Sequence, residues 1–273
     1  MARSDWFRIR VAALLAVFVG VLIYAWHDIA SRSRRTHYDK PLEVAIVLLE
    51  PSDRTAAFET ALVSMQRRVR ALEDRLNGEF ARYRPDGQAR LSLSLYGPVV
   101  SGPPPSAPST GSSWIQTFMD LARYSFDSWR YTRSVDLATA LPSRAFDARI
   151  YVVLEPSRDP ERSFVEGYSE KGGRVGIARV QLDETTVDLG LFVVAHELMH
   201  TLGADDKYGA DGSALIPTGL GDPEQQPLFP QRMAEVMARN RVVEPGVETI
   251  PTSLDELSIG RWTAAEIGLL QAP

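Results

Sequence analysis

The stretch Val194-Ala-His-Glu-Leu-Met-His-Thr-Leu-Gly-Ala-Asp-Asp-Lys-Tyr208 constrains this chain more than any other part of it. On a helix, His196 and His200 stand one turn apart and project the same way, so their ring nitrogens can meet one metal ion with Glu197 beside them. A lone histidine on an apolar helix is ordinarily a hydrogen-bonded core residue. Here the run from Val187 to Leu202 is apolar nearly all round, interrupted mainly by Asp188, His196, Glu197, His200 and Thr201, which is the pattern of a buried helix. Three titratable groups within five residues of such a helix are costly to desolvate unless something binds them. Gly203 follows His200 by three residues, where a helix can end on a left-handed residue and the chain can turn back. Asp206, three residues further on, is then placed to bring a carboxylate to the same ion, with Asp205 as the neighbouring alternative.

Composition narrows the chemistry. The chain has no cysteine, so disulfides and thiolate ligands are excluded. Any zinc is held by nitrogen and oxygen, which suits a catalytic site better than a structural one, because structural zinc sites usually recruit Cys. Seven of the 30 Lys and Arg and three of the 35 Asp and Glu lie in the first forty residues. The remaining body carries a net charge of about −9, which disfavours nucleic acid as a partner. With 44% hydrophobic residues overall, the chain has enough apolar material for a real core.

The spacing His196-Glu-x-x-His200-x-x-Gly203-x-x-Asp206 resembles the extended zinc motif of the metzincin metallopeptidases, in the variant whose third ligand is Asp, as in snapalysin and immune-inhibitor-A-like enzymes. The resemblance implies a zinc-dependent endopeptidase acting on protein or peptide, with Zn2+ held by His196, His200 and Asp206. Glu197 would be the general base that takes a proton from water and later passes it to the leaving amine. The resemblance also implies a methionine turn beneath the zinc. Met237, in Ala234-Glu-Val-Met-Ala-Arg-Asn240, is the candidate; Met233 is the alternative, and core filling accounts for either equally well. Many metzincins carry a tyrosine shortly after that turn. No tyrosine follows Tyr208 in this chain, so either Tyr208 serves from the loop or the oxyanion relies on zinc alone.

The first forty residues read as a separate unit. Val11 to Trp26 is uncharged, bracketed by Arg8 and Arg10 before it and by Arg32, Arg34 and Arg35 after. As a helix this run spans about 24 Å, short of the roughly 30 Å hydrocarbon core but bridgeable by snorkelling arginines. Trp6, Phe7, Tyr24 and Trp26 flank it like interfacial aromatics, and no Ala-x-Ala cleavage site follows. The expectation is an uncleaved single-pass anchor over residues 1–40 whose basic collar suits an anionic membrane surface, with the body outside the cytoplasm.

Residues 41–273 read as one domain of alternating strands and helices. Leu42 to Leu49 is a β-rich apolar run, and Arg54 to Tyr83 is a long helix with Phe58, Leu62, Met65, Val69, Leu72, Leu76 and Phe80 on one face. Its Arg67, Arg68 and Arg70 read as a solvated face. Pro85-Asp-Gly87 ends it, and Ala89 to Tyr96 alternates like a strand. Gly97 to Ser113 is a Pro/Gly/Ser-rich loop, and Trp114 to Tyr131 an aromatic-rich helix whose rings are expected in the core. Strands follow at Ala148 to Leu154 and, after Lys171-Gly-Gly173, at Arg174 to Leu182.

Beyond the zinc helix, Gly203 to Gln231 is loop-like; its Asp205, Asp211, Asp222 and Glu224 read as surface acids before calcium ligands. Trp262 to Leu270 is a closing helix with Thr263-Ala-Ala-Glu266 as a capping box.

The order of elements resembles the metzincin α/β (α+β) fold. That implies a twisted, mostly parallel four- to five-stranded sheet with an antiparallel edge strand and backing helices, an upper subdomain (41–203) and a loop-rich lower one (204–273). By the same resemblance, Val175 to Gln181 is expected along the cleft rim, where it would pair with substrate backbone. The rival reading is a non-catalytic, zinc-stabilised interaction domain tethered to the membrane. The intact Glu197 favours the enzyme, because a structural site needs no base there.

Overall fold

Leu42–Glu50 forms β1, and its almost unbroken apolar run is explained by what covers it. In the computed structural model, which describes residues 3–106, 113–156, 166–169 and 171–270, β1 is buried at every position but one, as a parallel strand packed on both faces must be. It pairs in parallel with β2 (Leu91–Val100) on one side and β3 (Ala148–Pro156) on the other. β3 pairs in parallel with β5 (Val175–Leu182), and the short β4 (Glu166–Ser169) adds to β5 antiparallel. The sheet order is β2-β1-β3-β5-β4.

Two helical layers cover this sheet. Val44, Ile46 and Leu48 point to the face packed by α2 (Ala56–Tyr83) and α4 (Val187–Leu202), where they meet Met65, Leu72, Leu191 and Leu198. Ala45, Val47 and Leu49 point the other way, with Tyr151, toward Val135 near the end of α3 (Trp114–Ala138). α2 starts where Thr55 caps it, its hydroxyl accepting from the Phe58 amide at 3.2 Å. Gly190 lets α4 lie close on β5, since a Cβ there would meet Val180 Cγ1 at 2.7 Å. Arg68, expected on a solvated face, instead pairs with Asp188 in the first turn of α4. Below the sheet lie the parallel pair β6 (Ala234–Glu235) and β9 (Leu257–Ser258), the hairpin β7 (Arg241–Glu244) and β8 (Val247–Thr249), and the short α5 (Arg261–Glu266).

Four expectations need correction. The antiparallel edge of the sheet is β4 and not Val175 to Gln181: β5 is parallel to β3, and its outer side is already paired from Gly176 to Arg179. Of the aromatic residues of α3, only Tyr131, half-buried, packs against the core among the described residues. Trp114 is 80% exposed and Phe118, Phe126 and Trp129 are exposed as well, because the helix is buried against the sheet only at Thr132, Val135 and Asp136 near its C-terminus. The capping box at Thr263 is absent: α5 starts at Gly260 with no side-chain cap, and both Thr263 and Glu266 are engaged elsewhere.

The fourth correction concerns the N-terminus. Residues there do form a helix, α1 (Arg3–Thr36), but among the described residues no helix is long and apolar enough to cross a membrane. The uncharged run is too short for the hydrocarbon core unaided. Arg35, counted in the basic collar, is buried against the body and donates to the Gly172 and Gly173 carbonyls at 2.6 Å each. Residues 107–112 of the expected Pro/Gly/Ser loop lie outside the described residues.

Candidate metal centre

α4 carries His196, Glu197 and His200 on a helix that is buried along most of its length. It ends at Gly203, whose φ of 110° is the left-handed conformation a glycine tolerates. The Ala204 amide reaches back to the Met199 carbonyl at 3.1 Å and closes the turn. The chain then returns under the helix, and Asp206 Oδ1 lies 3.2 Å from both His196 Nε2 and His200 Nε2.

The far nitrogens settle the tautomers. His196 Nδ1 donates to the Val236 carbonyl at 2.8 Å, and His200 Nδ1 donates to the Ala204 carbonyl at 3.0 Å. A carbonyl only accepts, so each Nδ1 carries the hydrogen and each neutral ring presents a bare Nε2. Two Nε2 lone pairs and a carboxylate oxygen therefore face one another within 4.8 Å. Acceptors so arranged repel unless a cation lies between them, and nitrogen with oxygen in this set suits zinc. Where no cation lies between them, protons on the rings take its place, and the electrostatics show this. Burial works to lower His200, but hydrogen bonds with Asp206 and Ala204 outweigh it and raise the ring. Burial works to raise Asp206, but hydrogen bonds from His196 and His200 hold it well below the usual carboxylate range. Asp205 points away and pairs with Lys171 at 2.6 Å.

Glu197 is 2% exposed. Burial raises its carboxyl, opposed by the two imidazoles and by a hydrogen bond that Ser169 Oγ donates to Oε2. Ser169 comes from β4. The two side chains meet over Gly176 of β5, where a Cβ would come within 2.5 Å of Ser169 Oγ and 3.4 Å of Glu197 Cβ. Tyr208 stacks its ring on His196 at 6.3 Å between centroids. Its hydroxyl is pushed up to about 12, first by burial and then by Asp206, to which it is hydrogen-bonded.

Met237 is fully buried and sits in a tight turn, closed by the Ala238 amide on the Glu235 carbonyl at 3.0 Å. Val236 in the same turn supplies the carbonyl that holds His196, and the Met237 carbonyl accepts from the Lys207 amide at 2.8 Å. Met233 is only half-buried and outside that turn. α5 fixes both pieces from below. Thr263 Oγ1 donates to Glu235 at 2.5 Å, and the buried Lys207 Nζ donates to both Glu266 oxygens at 2.6 and 2.7 Å.

The expected residues thus converge, while Ser169, Lys207, Glu235 and Glu266 were not legible in the sequence. Asp211, Asp222 and Glu224 do not gather, and among the described residues the one group fit for a metal is His196, His200 and Asp206.

No family model matches the chain, and no curated protein matches it. Among solved structures it is similar to the crystal structure of archaemetzincin from Methanopyrus kandleri, at 14% sequence identity over 64% of this chain and 80% of that one, with a TM-score of 0.27. A likeness that distant carries no weight for the chemistry, which stands on the geometry.

Proposed function

We propose that this chain is a metzincin-like, zinc-dependent endopeptidase. One observation carries the reading: Nε2 of His196, Nε2 of His200 and a carboxylate oxygen of Asp206 converge within 4.8 Å, next to a buried glutamate. His196 and His200 would hold the ion through Nε2 and Asp206 through a carboxylate oxygen. Bound there, zinc would supply Lewis acidity toward a peptide carbonyl and make water a better acid.

The chain's own residues divide the remaining work. Ser169 engages Glu197 Oε2, which leaves Oε1 to accept a proton from water and return it to the leaving amine. A buried carboxylate with raised proton affinity suits that task. Tyr208, in contact with the ligand set from the loop, takes the place at the cleft that the sequence leaves without a later tyrosine. The Val236 carbonyl orients His196, and Met237 fills the floor of the same turn. The substrate class is protein or peptide.

We place the body beside a membrane on the strength of α1 alone, whose Leu14, Leu15, Val17, Phe18, Val21, Leu22 and Ile23 are exposed. Fractionation of cells expressing the full chain tests this, and recovery in the soluble fraction would remove it.

The reading as a peptidase is tested by incubating the full chain with a mixed peptide library, wild type against Glu197→Gln, with zinc content measured in both. Cleavage by the wild type alone, with zinc retained in both, is the expected result. Zinc in both proteins with cleavage by neither would replace the enzyme with a zinc-stabilised interaction domain.

A further inference from the structure

The face of the sheet opposite the metal centre carries a cavity of about 810 Å³ between the end of α3 and the loop at 141–145. Its size lies in the range of small-molecule sites. Three arginines line it: Arg133 from α3, Arg144 from the loop and Arg149 from β3. The one carboxylate among the lining residues, Asp136, is buried and already committed. It accepts from Arg149 at 2.7 Å and from the Tyr151 hydroxyl at 2.5 Å. Arg133 and Arg144 have no carboxylate partner among the described residues, in a chain whose acidic residues outnumber its basic ones. The lining therefore holds a net charge of about +2, matching an anion of two negative charges, as a phosphate monoester carries near pH 7.

The remaining walls argue for an organic ligand. Leu141, Pro142 and Ala145 give the loop side an apolar surface, and Trp129 stands exposed at the rim. An inorganic phosphate alone would leave most of this volume to water. A guanidinium fork binds phosphate oxygens in pairs, and an exposed indole offers an apolar face to the group the phosphate is attached to. The floor is rigid, because the buried Tyr151 and Asp136 fix Arg149 from beneath.

We propose that this cavity is a binding site for an organic phosphate, whose oxygens Arg133, Arg144 and Arg149 hold while its carbon portion rests between Trp129 and the 141–145 loop. The phosphate belongs either to a free metabolite-sized molecule or to a lipid headgroup. The site lies on the far face from α4 and does not depend on the metal reading.

The test is calorimetric titration of the full chain with phenyl phosphate, and co-sedimentation with phosphatidylcholine vesicles with and without phosphatidic acid. Each is run on wild type, Arg133→Gln, Arg144→Gln and the double variant; both positions are exposed, so the fold is retained. The expected result is binding that weakens about tenfold in each single variant, about 1.4 kcal/mol, and is lost in the double variant. Arginine-dependent binding of phenyl phosphate identifies a free ligand, and arginine-dependent recruitment only by phosphatidic acid identifies a headgroup. Absence of binding to both probes, or binding equal in wild type and double variant, overturns the proposal.

Discussion

Glu235 has no exposed surface, yet all its partners are donors: the Gly260 amide, the Thr263 hydroxyl at 2.5 Å and the Met237 amide at 3.4 Å. Burial nevertheless dominates and pushes its carboxyl up to about 7. The unfolded chain releases this proton near the ordinary carboxylate value while the folded chain keeps it, so between those two points folding takes up a proton. Stability tied to Glu235 is therefore complete in mild acid and is lost as pH rises toward about 7, by roughly 3 kcal/mol. Thermal melts from pH 4.5 to 8 should show wild type losing stability across this window and Glu235→Gln losing less; parallel curves would refute the assignment. The third-ligand choice is also decided at single residues. Asp206→Ala should weaken zinc binding by about tenfold or more, while Asp205→Ala, which breaks only an exposed pair with Lys171, should leave it unchanged. The reverse ranking in a zinc titration would move the assignment to Asp205. His196, Glu197 and His200 were legible because a helix places them by local spacing alone. Ser169 and Glu235 were not, because their partners at Glu197 and Thr263 are 28 positions away in each case and no local pattern announces them.

At the scale of elements, the placement of α4 on β5 decides where the site lies. Gly190 and Gly176 are the two points of close approach, one between helix and strand and one beneath Glu197. Gly190→Ala should press on Val180 and destabilise the fold by about 1–3 kcal/mol, the usual range for overpacking. Gly176→Ala meets the movable ends of Ser169 and Ile150 at 2.5 and 2.9 Å, so its cost in stability should be smaller and its cost in turnover larger, because Ser169 leaves Glu197. Melting temperature and kcat measured on both variants check the contrast, and a kcat unchanged in Gly176→Ala would argue against Ser169 as a positioning residue. The strands β1, β2, β3 and β5 were readable from apolar runs and alternation. β4 was not, since Glu-Gly-Tyr-Ser is four residues with no apolar pattern, and only its pairing with β5 makes it a strand. The aromatic content of α3 misled for the opposite reason: composition shows that a residue can be buried, and only the packed partner shows that it is.

For the molecule as a whole, the metal reading implies a mechanical role beside the chemical one. His196 and His200 belong to a helix of the upper layer, whereas Asp206 and the Met237 turn belong to the loop-rich part below, which contains little regular structure. Protein contacts already join the two parts, through His196 with the Val236 carbonyl and through Glu79 with the Ile259 amide. An ion held jointly by α4 and Asp206 adds a link that the unfolded chain cannot make, so its binding energy adds to folding. At free zinc about a thousand times its dissociation constant the gain is about 4 kcal/mol, which in a domain of this size raises the melting temperature by roughly 10 °C. Chelation should reverse that rise in the wild type. In Asp206→Ala the link to the lower part is gone, so the same zinc, bound about tenfold or more weaker, should stabilise by about 2.7 kcal/mol or less even though both histidines remain. A full zinc-dependent rise in that variant would show that the ion is held without the lower part. Glu197→Gln supplies the complementary control, because it leaves all three ligands in place: its zinc-dependent rise should equal that of the wild type while peptide cleavage is lost.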